Sequence, residues 1–352
     1  MKYQRLLGFL WLGLLLGAAV FCILWGRVPT KDAQTYLNLD PVPPDATLPV
    51  IAISVPVATP AVSAPVFTVP PTPSPTPVPT ATPDPRPFSI FWYSDTQYYS
   101  YKHPEIFRKM TDWSVQNAES YNALCVVHTG DIVDNHKYER HWHNAASALS
   151  ALKGHLPLYC VAGNHDVGAE TVDYTAYRSA SFCNVLDAKR VWENGIAWVQ
   201  PLERQRILLV GIGWQKDAPY LDWVLERLAE YPDYTAILLV HSFLEDNGTL
   251  TPNGKLLEQQ LLPKATNLRL ILCGHKDGSV RWQKTYDDNT RTVNALMYNF
   301  QDDKKKGLGY LRILSFDPVA RTIDVTTYSP YLDDYNYYAE ESLDTFTLFN
   351  AF

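Results

Sequence analysis

The chain has 352 residues, a formal net charge of −7 and 46% hydrophobic residues, which fits one sizeable globular domain or two small ones, with ample material for a core. The acidic balance and the lack of a Lys/Arg stripe argue against specific nucleic-acid binding, because phosphate backbones recruit basic surfaces. The one basic run, Lys304 to Lys306, follows Asp302 and Asp303 and reads as a solvated turn.

The N-terminus reads differently from the rest. Leu6 to Gly26 is a run without a single charge, flanked by Lys2 and Arg5 before it and Arg27 and Lys31 after it. About 20 apolar residues span a bilayer, whereas a secretory apolar region is shorter. Residues 1–31 are therefore expected to be an uncleaved signal anchor, with a cleaved signal peptide as the second reading. Residues 32–87 form a Pro/Thr-rich linker, with stretches such as "PPTPSPTPVPTATPDPRP" and almost no charge. Such a sequence cannot bury a core and favours extended polyproline II. At about 3.1 Å per residue it would hold a domain up to roughly 140 Å from a membrane. The expected location is the cell membrane, single-pass, with the following domain on the extracytoplasmic side.

From Phe88 to Phe352 a single catalytic domain is the simplest reading. Short apolar runs at 88–94, 124–128, 157–161, 207–211, 236–240 and 268–273 read as strands. Helical stretches at 104–120, 137–152, 218–230 and 255–263 lie between them. That alternation predicts an α/β domain with largely buried sheets. After residue 280 the pattern turns β-rich, with turns at 287–290 and 317–321, and predicts antiparallel hairpins that complete a second sheet. Cys125, Cys160 and Cys273 sit inside apolar runs and read, with Cys183, as buried thiols rather than disulfide halves.

The strand ends carry the chemistry. The first run ends in "SDTQ", with Asp95 and Gln97; the second in "TGDIVDN", with Asp131; the third in "AGNHD", with Asn164, His165 and Asp166. Two later runs end in "VHS", with His241, and "GHKD", with His275 and Asp277. Ligands of α/β sheets gather outside the carboxyl ends of strands, so five strand ends deliver oxygen and imidazole donors to one edge. Each motif alone is weak, since an Asp after a strand is often only a cap and GD or GN only a turn.

The ordered set D-x-Q, GDxxD, GNHD, VHS and GH resembles the calcineurin-like metallophosphoesterase superfamily, from about Phe88 to Pro330. The resemblance implies a β-sandwich flanked by helices in α/β/β/α layers, and two divalent cations. Asp131 would bridge them, Asp95 would hold the first, and Asn164, His241 and His275 the second. His165 would act on the leaving oxygen, with Asp166 orienting its ring. The implied reaction is phosphoester hydrolysis, of a diester or a monoester, by a metal-bridged hydroxide.

Two positions depart from the pattern. Many members carry His where Gln97 and Asp277 stand. If both ligate, the first site is all oxygen (Asp95, Gln97, Asp131, Asp277), which suits Mn²⁺ or Mg²⁺ better than Zn²⁺. The other reading makes Asp277 a turn residue before Gly278. Manganese is the expected metal, with iron, zinc and magnesium as the other candidates. The partner expected is a phosphoester substrate: an envelope polymer, a lipid head group or a nucleotide. His136, His141 and His143 look metal-rich, but His141 and His143 are two apart and do not share a helix face. Tyr98, Tyr99 and Tyr101 follow the first motif and either floor a pocket or pack. The rival to an enzyme is a non-catalytic, metal-dependent binder of phosphate-bearing surface polymers.

Overall fold

The computed structural model describes residues 83–182, 188–287, 289–301 and 308–352. The expected membrane anchor, nearly all of the Pro-rich linker, Cys183 and Lys304 to Lys306 lie outside the described residues. Among the described residues no helix is long and apolar enough to cross a membrane.

Every residue of β1 (Phe88–Tyr93) is buried, so "FSIFWY" needs bulky side chains on both faces, as a central strand does. Beside it run β2 (Ala123–His128) and β3 (Leu158–Cys160), both parallel to it in direction. On its other edge β11 (Leu311–Asp317) pairs antiparallel, followed by β12 (Thr322–Ser329). Two short strands, β13 (Asp334–Tyr335) and β14 (Phe346–Phe349), both pair with β12. The second sheet has the order β4-β5-β6-β7-β8-β10-β9. Its strands are β4 (Arg190–Trp192), β5 (Ala197–Leu202), β6 (Ile207–Ile212), β7 (Thr235–Val240), β8 (Leu268–Cys273), β9 (Gly278–Tyr286) and β10 (Arg291–Asn299). β6, β7, β8 and β10 are parallel.

Side chains alternate across a strand with period two, and this sorts them into two cores. Leu209, Leu239, Leu272 and Leu296 join the core shared with the first sheet. Their neighbours Leu208, Leu238 and Ile271 join Val224 and Leu228 of α6 (Leu221–Ala229) and Leu257 of α7 (Pro252–Gln260). On the first sheet, Phe91 packs against Trp113 of α2 (Pro104–Asn117), and the Tyr93 hydroxyl donates to the Met110 carbonyl at 3.1 Å. Trp92 points the other way, into the gap between the sheets, its ring 4.6 Å from that of Tyr298 at 75°. The layers are helix, sheet, sheet, helix.

The expected strands and helices all occur, with ends shifted by a few residues. Two differences have physical causes. The hairpin β9–β10 completes the second sheet, but β11–β12 extends the first, because β11 pairs with β1. Strand β5 went unrecognised because Pro201 interrupts it. Beyond Val199 the β4 side of β5 has no ladder partner, which is where a proline is tolerated. Cys125, Cys160 and Cys273 are buried and form no disulfide.

The Tyr298 hydroxyl donates to the Trp92 carbonyl at 2.6 Å and so ties the two sheets together inside the core. Tyr298→Phe is expected to lower unfolding free energy by about 0.5–1.5 kcal/mol while keeping the ring contact. Urea unfolding with an unchanged m-value would bear this out; no shift in midpoint would show that the bond carries no net stability.

Candidate metal centre

The site forms where the loops after β1, β2, β3, β7 and β8 approach one another. Their main chains come so close that three glycines are required. At Gly274 a Cβ would lie 2.0 Å from Asp95 Oδ2, and at Gly163 one would lie 2.2 Å from Asp131 Oδ1. Gly130 adds a conformational need: its φ is +98°, and a Cβ would meet the Gly163 nitrogen at 2.6 Å. Three site residues also hold left-handed backbone, Asp95 (φ 51°), Asp131 (φ 55°) and His275 (φ 73°). Each such residue costs free energy, and it persists because neighbours fix it. The Asp95 N–H donates to the Gly130 carbonyl at 3.1 Å, and the Gly274 N–H to the His241 carbonyl at 3.0 Å.

Asp131, His241 and His275 each offer a ligand atom, all within 4.8 Å of one another. The His241 ring is fixed by a carbonyl. Thr129 O, which can only accept, lies 2.9 Å from Nδ1, so Nδ1 carries hydrogen. Its Nε2 then faces Asp131 Oδ2 at 3.2 Å and Asn164 Oδ1 at 3.1 Å. A nitrogen lone pair and two oxygens converging on one point suit a divalent cation. Burial works against a charge on this imidazole, but Asp131 and Asp95 outweigh it and push the pKa up to about 9. A proton on His241 thus answers the same carboxylates a cation would.

Asp95 is fully enclosed, and burial with the neighbouring Asp131 charge pushes its carboxyl up to about 7. It accepts from Ser94 Oγ at 2.5 Å and from the His275 N–H at 3.1 and 3.2 Å. Gln97 opens α1 (Gln97–Lys102), a helix the sequence did not announce because "QYYSYK" is short and aromatic-rich. One atom of its amide lies 3.4 Å from Asp131 Oδ2. The other lies 3.2 and 3.0 Å from the carbonyls of Asp95 and Asp131, and two acceptors there demand the nitrogen. The amide oxygen therefore faces the Asp131 carboxylate and accepts from the Gln301 amide N–H at 2.5 Å. Two oxygens turned toward each other are an arrangement a cation between them stabilises. The donors present fit the metals implied by the resemblance.

His165 is half-buried at the start of α4 (Asn164–Val167). Its main-chain N–H donates to Asp131 Oδ1 at 2.9 Å, and its Nδ1 lies 2.6 Å from the Asp134 carbonyl, which only accepts, so Nδ1 carries the hydrogen. Burial lowers its pKa, but Asp131 and the Asp134 carbonyl outweigh that and the net shift is upward. The expected role of Asp166 needs correction. Its carboxylate does not hydrogen-bond this ring. It accepts instead from the N–H groups of Ile132 (2.8 Å), Val133 (2.9 Å) and Gly163 (2.8 Å). A fully buried carboxylate takes whatever donors are nearest, and here these are the main chain of the GDxxD loop.

Asp277 stands apart. It is exposed, in the bend before β9, and outside the ligand group. Several contributors were missed. Trp214, just past β6, lays its ring 5.4 Å from His275 and 6.0 Å from His241. His128, which no motif marks, is buried under the GD loop: the Gly130 N–H donates to Nδ1 at 3.1 Å, leaving Nε2–H for Thr96 Oγ1 at 3.0 Å. Gln301 faces Gln97 from a part of the chain with no motif. The tempting "NHKYERHWHN" divides: His141 is buried, His143 exposed.

A model of the calcineurin-like phosphoesterase family matches residues 88–276. The uncharacterized protein YvnB of Bacillus subtilis (strain 168) is 32% identical over 263 residues, 71% of this chain and 20% of that protein. The chain thus spans about a fifth of the length of this relative. Among solved structures, the purple acid phosphatase PPD1 from yellow lupin (Lupinus luteus) seeds aligns with a TM-score of 0.52 at 11% identity. That alignment covers 77% of this chain and 55% of the lupin chain, and it is a likeness of fold.

Because Asp277 is exposed, Asp277→Ala is expected to leave metal stoichiometry unchanged and stability within about 0.5 kcal/mol. Metal analysis after dialysis checks this; loss of one metal would make Asp277 a ligand.

Proposed function

The chain belongs to the calcineurin-like phosphoesterase family, and from that premise we propose that it is a metal-dependent hydrolase of phosphoesters. The observation that carries this reading is the meeting of Asp131, His241 and His275 ligand atoms within 4.8 Å, at the ends of β2, β7 and β8. Asn164, His241, His275 and Asp131 would hold one divalent cation; Asp95, Gln97 and Asp131 would hold the other. Bound there, the pair supplies positive charge to phosphoryl oxygens and lets a water ionise near neutral pH. The oxygen-rich set around Asp95 favours Mn²⁺ or Mg²⁺.

The remaining work falls to side chains. His165 keeps hydrogen on Nδ1 through the Asp134 carbonyl, so the proton it gives to a leaving oxygen resides on Nε2. The carboxylates around it favour the charged ring that such an acid requires. A binder of phosphate polymers without turnover has no use for such a group, and this favours catalysis over the rival reading. A cavity of about 350 Å³ beside His241 and His275, edged by Trp214, Lys216, Asn253 and Lys276, has room and charge for the rest of the phosphorylated substrate.

The proposal extends to location. The uncharged Leu6 to Gly26 run and the proline-rich stalk support a hydrolase tethered outside the cytoplasmic membrane, where envelope polymers, lipid head groups and nucleotides are within reach.

Asp131→Asn is expected to abolish turnover and lower metal content, because it removes the shared carboxylate. His165→Ala is expected to keep the metals and lower kcat by about 10²–10⁴-fold, with a smaller loss on chromogenic esters whose leaving groups need no proton. Full activity with normal metal content in Asp131→Asn would sink the metal-centre reading.

Deleting residues 1–87 is expected to move activity from the membrane fraction to the soluble fraction, measured against the full chain after alkaline washing. Full chain that washes off the membrane would refute the anchor.

A further inference from the structure

A second cavity, of about 430 Å³, opens on the His165 side of the metal centre and is lined by Tyr101, Asp134, Lys137, Tyr138, Glu139, Arg140 and His141. Two of the segments that build the centre, α1 and the chain after β2, run into it. Tyr101 lies one helical turn beyond Gln97 on α1, on the same face. Asp134, whose carbonyl holds the His165 ring, forms part of its wall. The cavity therefore begins where the proton for the leaving oxygen is held.

Its walls are flat and aromatic. The His141 ring lies 5.1 Å from that of Tyr101 and 5.3 Å from that of Tyr138. The Arg140 guanidinium stands 5.8 Å from the Tyr101 ring centroid, and the Lys102 ammonium 4.8 Å. Tyr138 is 59% exposed, a large ring that packing does not explain. His141 is 2% exposed, yet its Nδ1 has no hydrogen-bond partner.

We infer that this cavity is the leaving-group subsite and takes a nucleobase, so that the substrate is a nucleotide-type phosphoester. This rests on the hydrolase reading above. Phenol rings and a guanidinium stack on the faces of a planar ring. Asp134, Lys137, Glu139 and Arg140 in the same wall match a ring that itself carries donors and acceptors, which a plain aryl group lacks. The volume suits one base rather than a strand, in keeping with a net charge of −7. In the reaction, water oxygen bonds to phosphorus, the bond from phosphorus to the 5′ oxygen breaks, and that oxygen leaves with a proton as the nucleoside hydroxyl.

The test uses the full chain supplied with Mn²⁺. Adenosine 5′-phosphate and ribose 5-phosphate share the same leaving hydroxyl, and the two are compared alongside their methyl diesters. Stacking predicts a kcat/KM ratio of about 5- to 150-fold in favour of the adenosine compounds. Tyr138→Ala and Tyr101→Leu should each bring that ratio toward unity. A ratio of one in the wild-type protein, with turnover present, overturns the subsite and leaves the hydrolase reading standing. Benzyl phosphate against ethyl phosphate separates the sources of the ring: an equal gain there overturns the nucleobase in favour of any aromatic group. If no ester is turned over, the hydrolase reading fails, and equilibrium binding of adenosine decides the subsite. Saturable binding weakened by Tyr138→Ala supports it, and no binding overturns it.

Discussion

Everything at the metal centre depends on how closely the loop backbones approach. A carboxylate can stand beside a neighbouring strand end only if that strand end has no Cβ. Gly274 leaves space for Asp95, and Gly163 leaves space for Asp131. The same crowding forces Asp95, Asp131 and His275 into left-handed backbone, a cost borne by the two sheets that hold the strand ends in register. The inter-sheet core is thus part of the site. Trp92 on β1 illustrates the link: its ring packs on Tyr298, and its indole N–H donates to Thr129 Oγ1 at 3.1 Å, one residue before Gly130.

Charge follows from that geometry. Two carboxylates enclosed side by side cannot both remain ionised without a compensating cation. Asp95 answers by holding its proton more tightly, Asp131 by pairing with His241. The main chain takes the remaining burden, with three N–H groups on Asp166 and one on each of Asp131 and Asp95. Side-chain donors are few because the loops leave them no room. This explains why Asp166 supports the GDxxD loop rather than the imidazole one residue before it.

The sequence made the strands and the donors at their ends legible because each signal is local. An apolar run followed by Gly and a polar residue requires only a few neighbours to be read. Gln301, Trp214 and His128 were not legible, since each acts through contacts far away in the chain. Gln301 meets Gln97 across some two hundred residues, and no periodicity marks it. Asp277 is a different case: its place two residues after His275 reads either as a ligand or as a turn residue, and it stands at the exposed bend before β9, followed by a Gly with φ +118°. The short helix α1 was hidden for a third reason. Its stability comes from Ser100, whose hydroxyl bonds to the Ile132 carbonyl at 2.5 Å, and from Asn144, which bonds to the Ser100 carbonyl at 2.8 Å; tertiary contacts, rather than propensity, make it helical.

The partner chosen for His165 has a consequence of its own. A carboxylate orienting a catalytic imidazole shares its proton and shifts with it. A main-chain carbonyl does neither. With Asp134 O as acceptor at 2.6 Å, Nδ1 keeps its hydrogen in both charge states of the ring, and proton exchange is confined to Nε2. The ring orientation is then the same in both charge states. The upward pull on its pKa comes mainly from Asp131, whose Oδ1 also accepts the His165 N–H. Any cation held at Asp131 would share that carboxylate with the His165 main-chain N–H.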